Sequence, residues 1–335
     1  MPDNGAPRIS GANCPIDPEL VSVIIPAYNR ARYIREAISS VIGQSYPALE
    51  LLVHDDGSSD ETWSAMMEMK EACLARFRRV EFTQAPNAGV CLTLNRLLEA
   101  ARGAYIYRLD SDDLAKPEAV ATLRDFLEAN PAYGLAVGDD ELIDSQGRRF
   151  YWTEKRRVVY SPDQAAYLTF AGFLKKMRPE INFDSDDFGD YRSLLSGNYV
   201  PGGYLTRKSL TDQIRYTPLA PLEDHYFMMQ VAKAAKLKFI DQILYSYRWH
   251  DNNTVTRRRS SRSAARQTMK YELENLASAD DPELARLARL KLEGVRKKSK
   301  FRLGGLLELC RMSYVDRDEY VLKIGNKHFI LKTVA

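Results

Sequence analysis

The hydrophobic and polar positions of the chain alternate in a way that predicts strands and helices in turn. Residues 21–25 are apolar and mostly β-branched and stop at Pro26, which is typical of a buried parallel strand. Apolar residues then recur at helical spacing from 32 to 42, and Gly43 follows as a stop. Further strands are predicted at 49–54, 80–83, 105–109 and 135–137, and further helices at about 58–75, 90–101 and 117–129.

This alternation predicts an α/β fold whose mostly parallel sheet is covered by helices on both faces. Residues 1–19 are rich in Pro, Gly, Asn and Asp, so we expect a flexible lead-in, with order beginning at Val21. Ser58 and Glu61 stand three residues apart and predict a capping box for the second helix.

The pattern weakens after about residue 139, and residues 149–190 receive no assignment. Further along, the sequence predicts a glycine-broken strand pair at 197–205, a helix at 222–235, strands at 237–240 and 243–249, and helices at about 264–278 and 282–303.

Composition narrows the class of protein. The 335 residues carry 48 basic and 45 acidic side chains, a net charge of +3 that is too small to indicate nucleic-acid binding. The four cysteines lie far apart, which argues against a zinc knuckle or a disulfide framework and fits a reducing cytosol. Since no stretch approaches the roughly 20 apolar residues that a membrane span requires, we expect a cytoplasmic protein that is soluble or peripheral.

Three carboxylates end the apolar run at 105–109. In an extended chain, residues two apart point to the same side, so Asp110 and Asp112 can hold one cation, while Asp113 faces away or starts the next turn. Carboxylates select hard ions such as Mg²⁺ or Mn²⁺, which bring phosphates as further ligands. The run therefore predicts a nucleoside-diphosphate site, and the alternative is a polar loop that caps the following helix.

Ligands of open α/β sheets bind outside the carboxyl ends of the strands. This rule brings three turns, 26–30, 55–60 and 110–113, to one crevice. The sequence has no G-x-G-x-x-G after its first strand and no Walker glycine loop. These absences argue against a dinucleotide-dependent dehydrogenase and against a P-loop ATPase. Phosphate is then expected to be bound through a metal.

Taken together, the motifs resemble the family-2 inverting glycosyltransferases with a GT-A fold. The resemblance covers about residues 20–256 and implies a nucleotide half at 20–138 and an acceptor half at 139–256, followed by a basic helical C-terminal extension at 257–335. The motifs, in the order in which the family has them, are Val-Ile-Ile-Pro-Ala-Tyr-Asn (23–29), Asp-Asp-Gly-Ser-Ser-Asp (55–60), Asn87-x-Gly89, the helix with Asn95 followed by Gly103, Leu-Asp-Ser-Asp-Asp (109–113), Glu223-Asp224 and Tyr247-Arg248-x-His250.

The resemblance implies roles for individual residues. Asp56 accepts a hydrogen bond from the base N3–H, and Asp112, Asp110 and His250 bind a divalent metal, Mn²⁺ in preference to Mg²⁺. Asp113 is a second-choice ligand. The full set of implied donor-binding residues is Pro26, Ala27, Tyr28, Asn29, Asp55, Asp56, Asn87, Gly89, Arg108, Asp110 and Ser111. For Arg108 a structural ion pair is the alternative.

The chemistry that these parts support is single-displacement transfer of a sugar from a nucleoside-diphosphate sugar to an acceptor hydroxyl. The metal stabilises the leaving diphosphate, and a base on the opposite face takes the acceptor's proton. Asp224 is the predicted base, and Glu223 orients it or contacts the acceptor. The resemblance implies a uridine donor, with guanosine and thymidine donors left open, and a bacterial surface glycan or lipid-linked oligosaccharide as acceptor.

Two other classes of protein share some of these features. A nucleotidyltransferase that forms sugar nucleotides has a similar α/β half, but normally opens with a Gly-rich loop bearing Arg or Lys, which residues 26–29 are not. The second class is a non-catalytic carbohydrate-binding or membrane-scaffolding protein. Such a protein does not require a base, so the presence of Asp224 opposite Asp112 argues against this class.

The C-terminal extension carries the chain's excess of positive charge. Between 286 and 302, eight Lys and Arg residues stand against the single acid Glu293, with leucines interspersed. Such a helix can lie on an anionic membrane, which would place the protein on the inner face of the plasma membrane through residues 282–307. The alternative is that its leucines pack against the catalytic domain or against another subunit in a homo-oligomer.

Overall fold

The computed structural model describes residues 16–251, 253, 258–277, 286, 289, 312–316, 319–324 and 327–332. Its centre is a ten-stranded sheet in the order β3-β2-β1-β4-β9-β6-β10-β5, with β7 paired to β6 and β8 to β7. The strands are β1 (Asp17–Ala27), β2 (Leu49–Asp55), β3 (Arg79–Gln84), β4 (Gly103–Arg108), β5 (Leu114–Ala115), β6 (Tyr133–Ile143), β7 (Arg149–Trp152), β8 (Val158–Val159), β9 (Leu205–Arg207) and β10 (Lys236–Arg248).

The helices cover this sheet. They are α1 (Ile34–Ile42), α2 (Thr62–Glu68), α3 (Lys70–Arg76), α4 (Val90–Ala100), α5 (Ala119–Ala129), α6 (Phe170–Met177), α7 (Tyr191–Leu194), α8 (Lys208–Thr211), α9 (Glu223–Ala234) and α10 (Arg258–Ala277). Strands β3, β2, β1 and β4 run parallel, as do β6 and β10, while β9 joins the two groups by antiparallel pairing. The predicted α/β fold is confirmed.

The apolar run of β1 is continuous because both faces of the sheet are covered. Val23 and Ile25 pack into one buried cluster that includes Ile38 of α1, whereas Ile24 packs into a second cluster that includes Leu94 of α4. Each such fully buried side chain contributes about 1.5–3 kcal/mol. The two clusters hold the carboxyl ends of the parallel strands at one edge of the sheet.

Two predictions near the N-terminus are wrong. The first strand begins at Asp17 rather than at Val21, because the backbone N–H of Asp17 already donates to the carbonyl of Arg102 beside β4. Ser58 and Glu61 form no capping box, since the Ser58 hydroxyl donates to Asp55 and the N–H of Thr62 donates to Asp60 at 3.0 Å. The predicted helix is also divided into α2 and α3.

The largest errors concern the second half of the sheet. Strand β6 continues to Ile143 through three polar residues that hydrophobic patterning does not assign to a buried strand. Of the strand pair predicted at 197–205, only Leu205 lies in a strand, as the first residue of β9. The strands predicted at 237–240 and 243–249 are one strand, β10, with shifts of register.

The C-terminal extension is not purely helical. Helix α10 agrees with the helix predicted at 264–278, whereas the one predicted at 282–303 lies outside the described residues except for 286 and 289. Three further strands, β11 (Met312–Asp316), β12 (Glu319–Ile324) and β13 (Lys327–Lys332), form an antiparallel sheet that the sequence did not predict. In the part of the chain that the structure describes, no helix is long and apolar enough to cross a membrane.

Candidate active site

A cleft of about 660 Å³ opens at the carboxyl ends of the parallel strands. Its walls come from the ends of β1, β2 and β4, from residues 198–204 and from the start of α9. Twelve sequence-predicted site residues line it, which are Pro26, Ala27, Tyr28, Asp56, Asn87, Gly89, Arg108, Asp110, Ser111, Asp112, Glu223 and Asp224. The strand-end rule therefore located the cleft, although the roles of these residues stay predictions.

Asn29 and Asp55 lie behind the cleft wall and support it. Asn29 has a left-handed backbone (φ 52°), and its side-chain oxygen accepts the N–H of Ser59 at 2.9 Å, which ties the first turn to the second. Asp55 is fully buried, and it accepts the N–H of Ser58 at 3.0 Å and the Gln84 amide at 2.7 Å. Both residues hold the loops rather than face the cavity.

Asp56 joins the second turn to the loop before α4. Its two carboxylate oxygens accept the backbone N–H groups of Ala88 and Gly89, each at 2.8 Å. Gly57 permits this approach, since its φ is +73° and a Cβ atom there would lie 2.7 Å from the backbone nitrogen of Asn87. Because each carboxylate oxygen can accept a second hydrogen bond, the predicted contact of Asp56 with a base remains available.

The three acids after β4 point in different directions. Asp113 is buried and accepts the backbone N–H of Arg248 at 2.7 Å and the Tyr245 hydroxyl at 2.8 Å. Both of its carboxylate oxygens are thus directed to β10, although Asp113 is among the residues that line the cleft, and its role as a second-choice ligand stays a prediction. Asp110 is half exposed and pairs with Arg108 at 3.2 Å.

Asp112 is the centre of a charged cluster. Its Oδ2 lies 3.0 Å from Nε of Arg30 and 3.1 Å from Nε2 of His250. Burial works to raise the pKa of Asp112, but the hydrogen bond from His250 and the charge of Arg30 lower it. Burial and the neighbouring charges of Asp112 and Asp110 raise the pKa of Asp113 well above its usual range.

The donor atoms around Asp112 fit a divalent ion in their chemistry. A carboxylate oxygen and an imidazole nitrogen already meet there, and this pair suits Mn²⁺. Among the described residues, however, no group of three or more His, Cys, Asp or Glu side chains is arranged to hold a metal. The predicted pair Asp110 and Asp112 is smaller than such a group, so its role as a metal site stays a prediction.

The acid pair Glu223-Asp224 begins α9 on the other wall of the cleft. Arg108 donates to Glu223 at 3.1 Å and to Asp110 at 3.2 Å, so this one buried guanidinium links the strand end to the acid pair. Asp224 instead binds two uncharged donors, the N–H of His225 at 2.7 Å and the side-chain amide of Asn198 at 3.1 Å. The structure therefore gives the two acids different partners.

Arg30, Asp140 and Asn198 also line the cleft, although none of them was among the individually predicted site residues. Arg30 directly follows the first motif, and its pairing with Asp112 depends on a contact 82 residues away. Asn198 lies in the segment for which the sequence predicted a glycine-broken strand pair at 197–205. Asp140 belongs to the polar part of β6, which had no assignment.

Glu223 makes the stability of the fold depend on pH. Burial, followed by the charge of Asp224, raises the pKa of Glu223 from 4.5 to about 6, although Arg108 opposes this. The folded state holds this proton more tightly than the unfolded chain does. The stabilisation is therefore fully present below pH 4.5 and is lost as the pH rises through about 6.

The difference between these two pKa values corresponds to about 2 kcal/mol. We expect the free energy of unfolding of the wild type, measured relative to Glu223→Gln, to fall by about this amount between about pH 4 and pH 7. Denaturant titrations of both proteins across this range measure it. A difference that stays constant with pH would contradict the prediction.

Solved structures identify the class of this architecture. The chain superposes on residues 1–349 of TarS from S. aureus, solved with UDP-GlcNAc, with a TM-score of 0.57 at 17% identity, over 94% of this chain and 99% of that TarS chain. It also superposes on the mannosyltransferase PcManGT from Pyrobaculum calidifontis, solved with GDP-Man and Mn²⁺, with a TM-score of 0.52 at 16% identity, over 83% and 80% of the two chains. The fold is that of the GT-A glycosyltransferases.

Sequence comparison identifies the family. The chain is 26% identical to glycosyltransferase GlyG of Streptococcus pneumoniae over 69% of its own length and 71% of GlyG. It is 28% identical to an uncharacterized glycosyltransferase of Haemophilus influenzae over 95% of its length and 91% of that protein. Residues 22–180 match the model of glycosyl transferase family 2. This match spans a little under half of the chain, and the predicted resemblance to the family-2 glycosyltransferases is confirmed, while the inverting mechanism stays a prediction.

Proposed function

We propose that this glycosyltransferase moves a sugar from a nucleoside-diphosphate sugar, with a UDP-sugar as the first choice, to an acceptor hydroxyl with inversion at the anomeric carbon. The observation that carries the proposal is that one cleft is lined both by the carboxylates after β4 and by the acid pair of α9. An inverting displacement needs a site for the leaving diphosphate and a base on the opposite face. The two walls supply candidates for both.

Asp112 and His250 are the residues that would hold the divalent metal, with Asp110 beside them at the cleft surface. When bound, the metal acts as a Lewis acid that neutralises the diphosphate. The chain's own contribution is the orientation of Asp112, which Arg30 and His250 fix through contacts of 3.0 and 3.1 Å. The Mn²⁺ bound in the structure of PcManGT supports this part of the proposal.

Asp224 is a better candidate for the base than Glu223. Burial and Asp224 raise the pKa of Glu223 to about 6, but its carboxylate is directed to the guanidinium of Arg108 at 3.1 Å rather than to an acceptor. The Asp224 carboxylate accepts hydrogen bonds from two uncharged donors, the N–H of His225 and the amide of Asn198. Each of its oxygens therefore keeps a lone pair for an acceptor hydroxyl. Glu223 orients Arg108 and contributes its negative charge to that wall.

A UDP-sugar is proposed because TarS, which has the same fold, was solved with UDP-GlcNAc, and a GDP-sugar is the second candidate because PcManGT was solved with GDP-Man. The acceptor is proposed to be a hydroxyl of a bacterial surface glycan or a lipid-linked oligosaccharide. Incubation of the purified protein with Mn²⁺ and a panel of nucleotide sugars tests the donor. We expect one of the donors to release its nucleoside diphosphate. The release should be slow when water takes the sugar and faster when an acceptor hydroxyl is present.

The same panel separates the rival classes. Release of a nucleoside triphosphate from a nucleotide sugar and pyrophosphate would indicate a nucleotidyltransferase. Binding of a donor or glycan without any turnover would indicate a non-catalytic binding protein. The anomeric configuration of the product, read by NMR, decides between inversion and retention.

We also propose that the basic segment at 282–307 binds anionic membranes and places the protein on the cytoplasmic face of the plasma membrane. The support is the charge of the sequence, since each Lys or Arg near such a surface adds about 1 kcal/mol. The triple variant Lys297→Gln, Lys298→Gln and Lys300→Gln is expected to co-sediment at least tenfold less with vesicles containing anionic lipid at low salt.

A matched triple variant provides the control for this experiment. Lys155→Gln, Lys176→Gln and Lys236→Gln remove the same charge from exposed positions of the catalytic domain. Their binding is expected to match the wild type. An equal loss of vesicle binding in both variants would mean that only the net charge of the protein matters. If the full-length wild type does not bind the vesicles at all, the membrane proposal fails, and the alternative is that the segment packs against the catalytic domain or another subunit.

A further inference from the structure

The side chain of Asn198 is held in one orientation between its own backbone segment and the acid pair. Its Oδ1 accepts the backbone N–H of Val200 at 3.1 Å, and its Nδ2 donates to Oδ2 of Asp224 at 3.1 Å. Because a backbone N–H can only donate, the oxygen of the amide has to face Val200. The NH₂ group therefore has to face the carboxylate.

The segment that carries Asn198 is itself fixed to the sheet. The backbone N–H of Gly202 donates at 3.1 Å to Asp140, a buried residue of β6. Gly203 has a φ of +60° and lies so close to the Tyr245 ring that a Cβ atom would be 2.1 Å from Cδ2. Asn198 is thus connected to the rigid floor of the cleft on one side and to Asp224 on the other.

The Asn198 contact determines how the Asp224 carboxylate is turned. The N–H of His225 holds Oδ1 at 2.7 Å, and Asn198 holds Oδ2, so rotation of the carboxylate breaks at least one bond. A fixed orientation of this carboxylate is what a general base at this position needs.

We propose that Asn198 is a positioning residue for the base, which holds the Asp224 carboxylate oriented and ready to take the proton of the acceptor hydroxyl. The inference rests on the proposed function, since it assumes that Asp224 is the base. It assigns to the segment before β9 a direct influence on catalysis rather than a role in folding alone.

Asn198→Asp tests this inference because it changes only one of the two contacts. Aspartate keeps the oxygen that accepts the N–H of Val200, and it supports this type of turn as well as asparagine does. It replaces the donor facing Asp224 with a carboxylate oxygen, and like charges at this distance repel. We expect kcat at neutral pH to fall at least about tenfold and the acid limb of the pH–kcat profile to move up by about one pH unit.

Two further measurements complete the experiment. Asn198→Ala removes both contacts and is expected to lower kcat about 10- to 100-fold, while the affinity of both variants for UDP changes less than about twofold. Asn182→Asp is the matched control, because Asn182 accepts the N–H of Asp184 at 3.0 Å in the same local pattern, on an exposed loop outside the cleft lining. Its kcat and pH profile are expected to equal those of the wild type.

Several results would overturn the inference. A wild-type kcat and pH profile in Asn198→Asp means that Asn198 serves only its turn. A loss of UDP affinity parallel to the loss of kcat means that the segment as a whole was disturbed. If the wild type itself transfers no sugar from any donor of the panel, the proposed function fails first and this inference fails with it, which is a different outcome from an active wild type with an unaffected variant.

Discussion

Asp224→Asn is expected to abolish sugar transfer and to leave nucleotide binding nearly intact. The amide has the shape of the carboxylate and still accepts the N–H of His225 through its oxygen, but it cannot take a proton from the acceptor. A positioned base contributes about 10²–10⁴-fold, so kcat should fall by at least that range. Turnover with the donor identified by the panel and titration with UDP alone provide the two measurements.

Glu223→Gln is the matched comparison for this variant, because it makes the same chemical change in the neighbouring residue of α9. It removes the charge that pairs with Arg108 and should lower kcat less than Asp224→Asn does. Near-normal turnover by Asp224→Asn, together with an inactive Glu223→Gln, would move the base to Glu223. Near-normal turnover by both would contradict a carboxylate base at the start of α9.

Removal of divalent metal is expected to stop the reaction almost completely. Asp110, Asp112 and a bound diphosphate all carry negative charge, and without a cation they repel one another in a partly buried cleft. Excess chelator should therefore reduce turnover at least about 100-fold, and added Mn²⁺ should restore it. Full turnover in excess chelator would exclude a metal-dependent mechanism.

The metal requirement can also be tested by substitution of the predicted metal ligands, with metal binding as the measured quantity. Asp112→Asn should weaken binding of Mn²⁺ in the presence of UDP, measured by calorimetry, at least about tenfold. His250→Ala should abolish the advantage of Mn²⁺ over Mg²⁺, because imidazole is the softer donor. If His250→Ala keeps the preference for Mn²⁺, the role of His250 is limited to its hydrogen bond with Asp112.

Several features of the protein could be predicted from sequence because they depend on local periodicity. The runs of β1, β2 and β4 are apolar on both faces, so they read as buried parallel strands even without a tertiary structure. Polar turns that follow parallel strands come to one edge of the sheet. This geometric rule is why the turns at 26–30, 55–60 and 110–113 were predicted to line one cleft.

Prediction failed where burial is satisfied by hydrogen bonds instead of apolar side chains. Asp139 in β6 is buried because it accepts the N–H of Ala171 at 2.8 Å, and Asp140 is buried because it accepts the N–H of Gly202 at 3.1 Å. Their partners lie 32 and 62 residues away. A hydrophobicity pattern contains no signal for such bonds, so the strand was predicted to end too early.

The sequence by itself determined the α/β alternation, the edge of the sheet at which the site lies and the residue types that line it. Only the tertiary structure decided which acid faces which partner. It directed the Asp113 carboxylate to β10, joined Asp110 to Glu223 through Arg108, and placed the Asn198 amide next to the Asp224 carboxylate. The physical reason is that these contacts depend on side-chain directions across separate elements, which are fixed only when both buried clusters pack around the sheet.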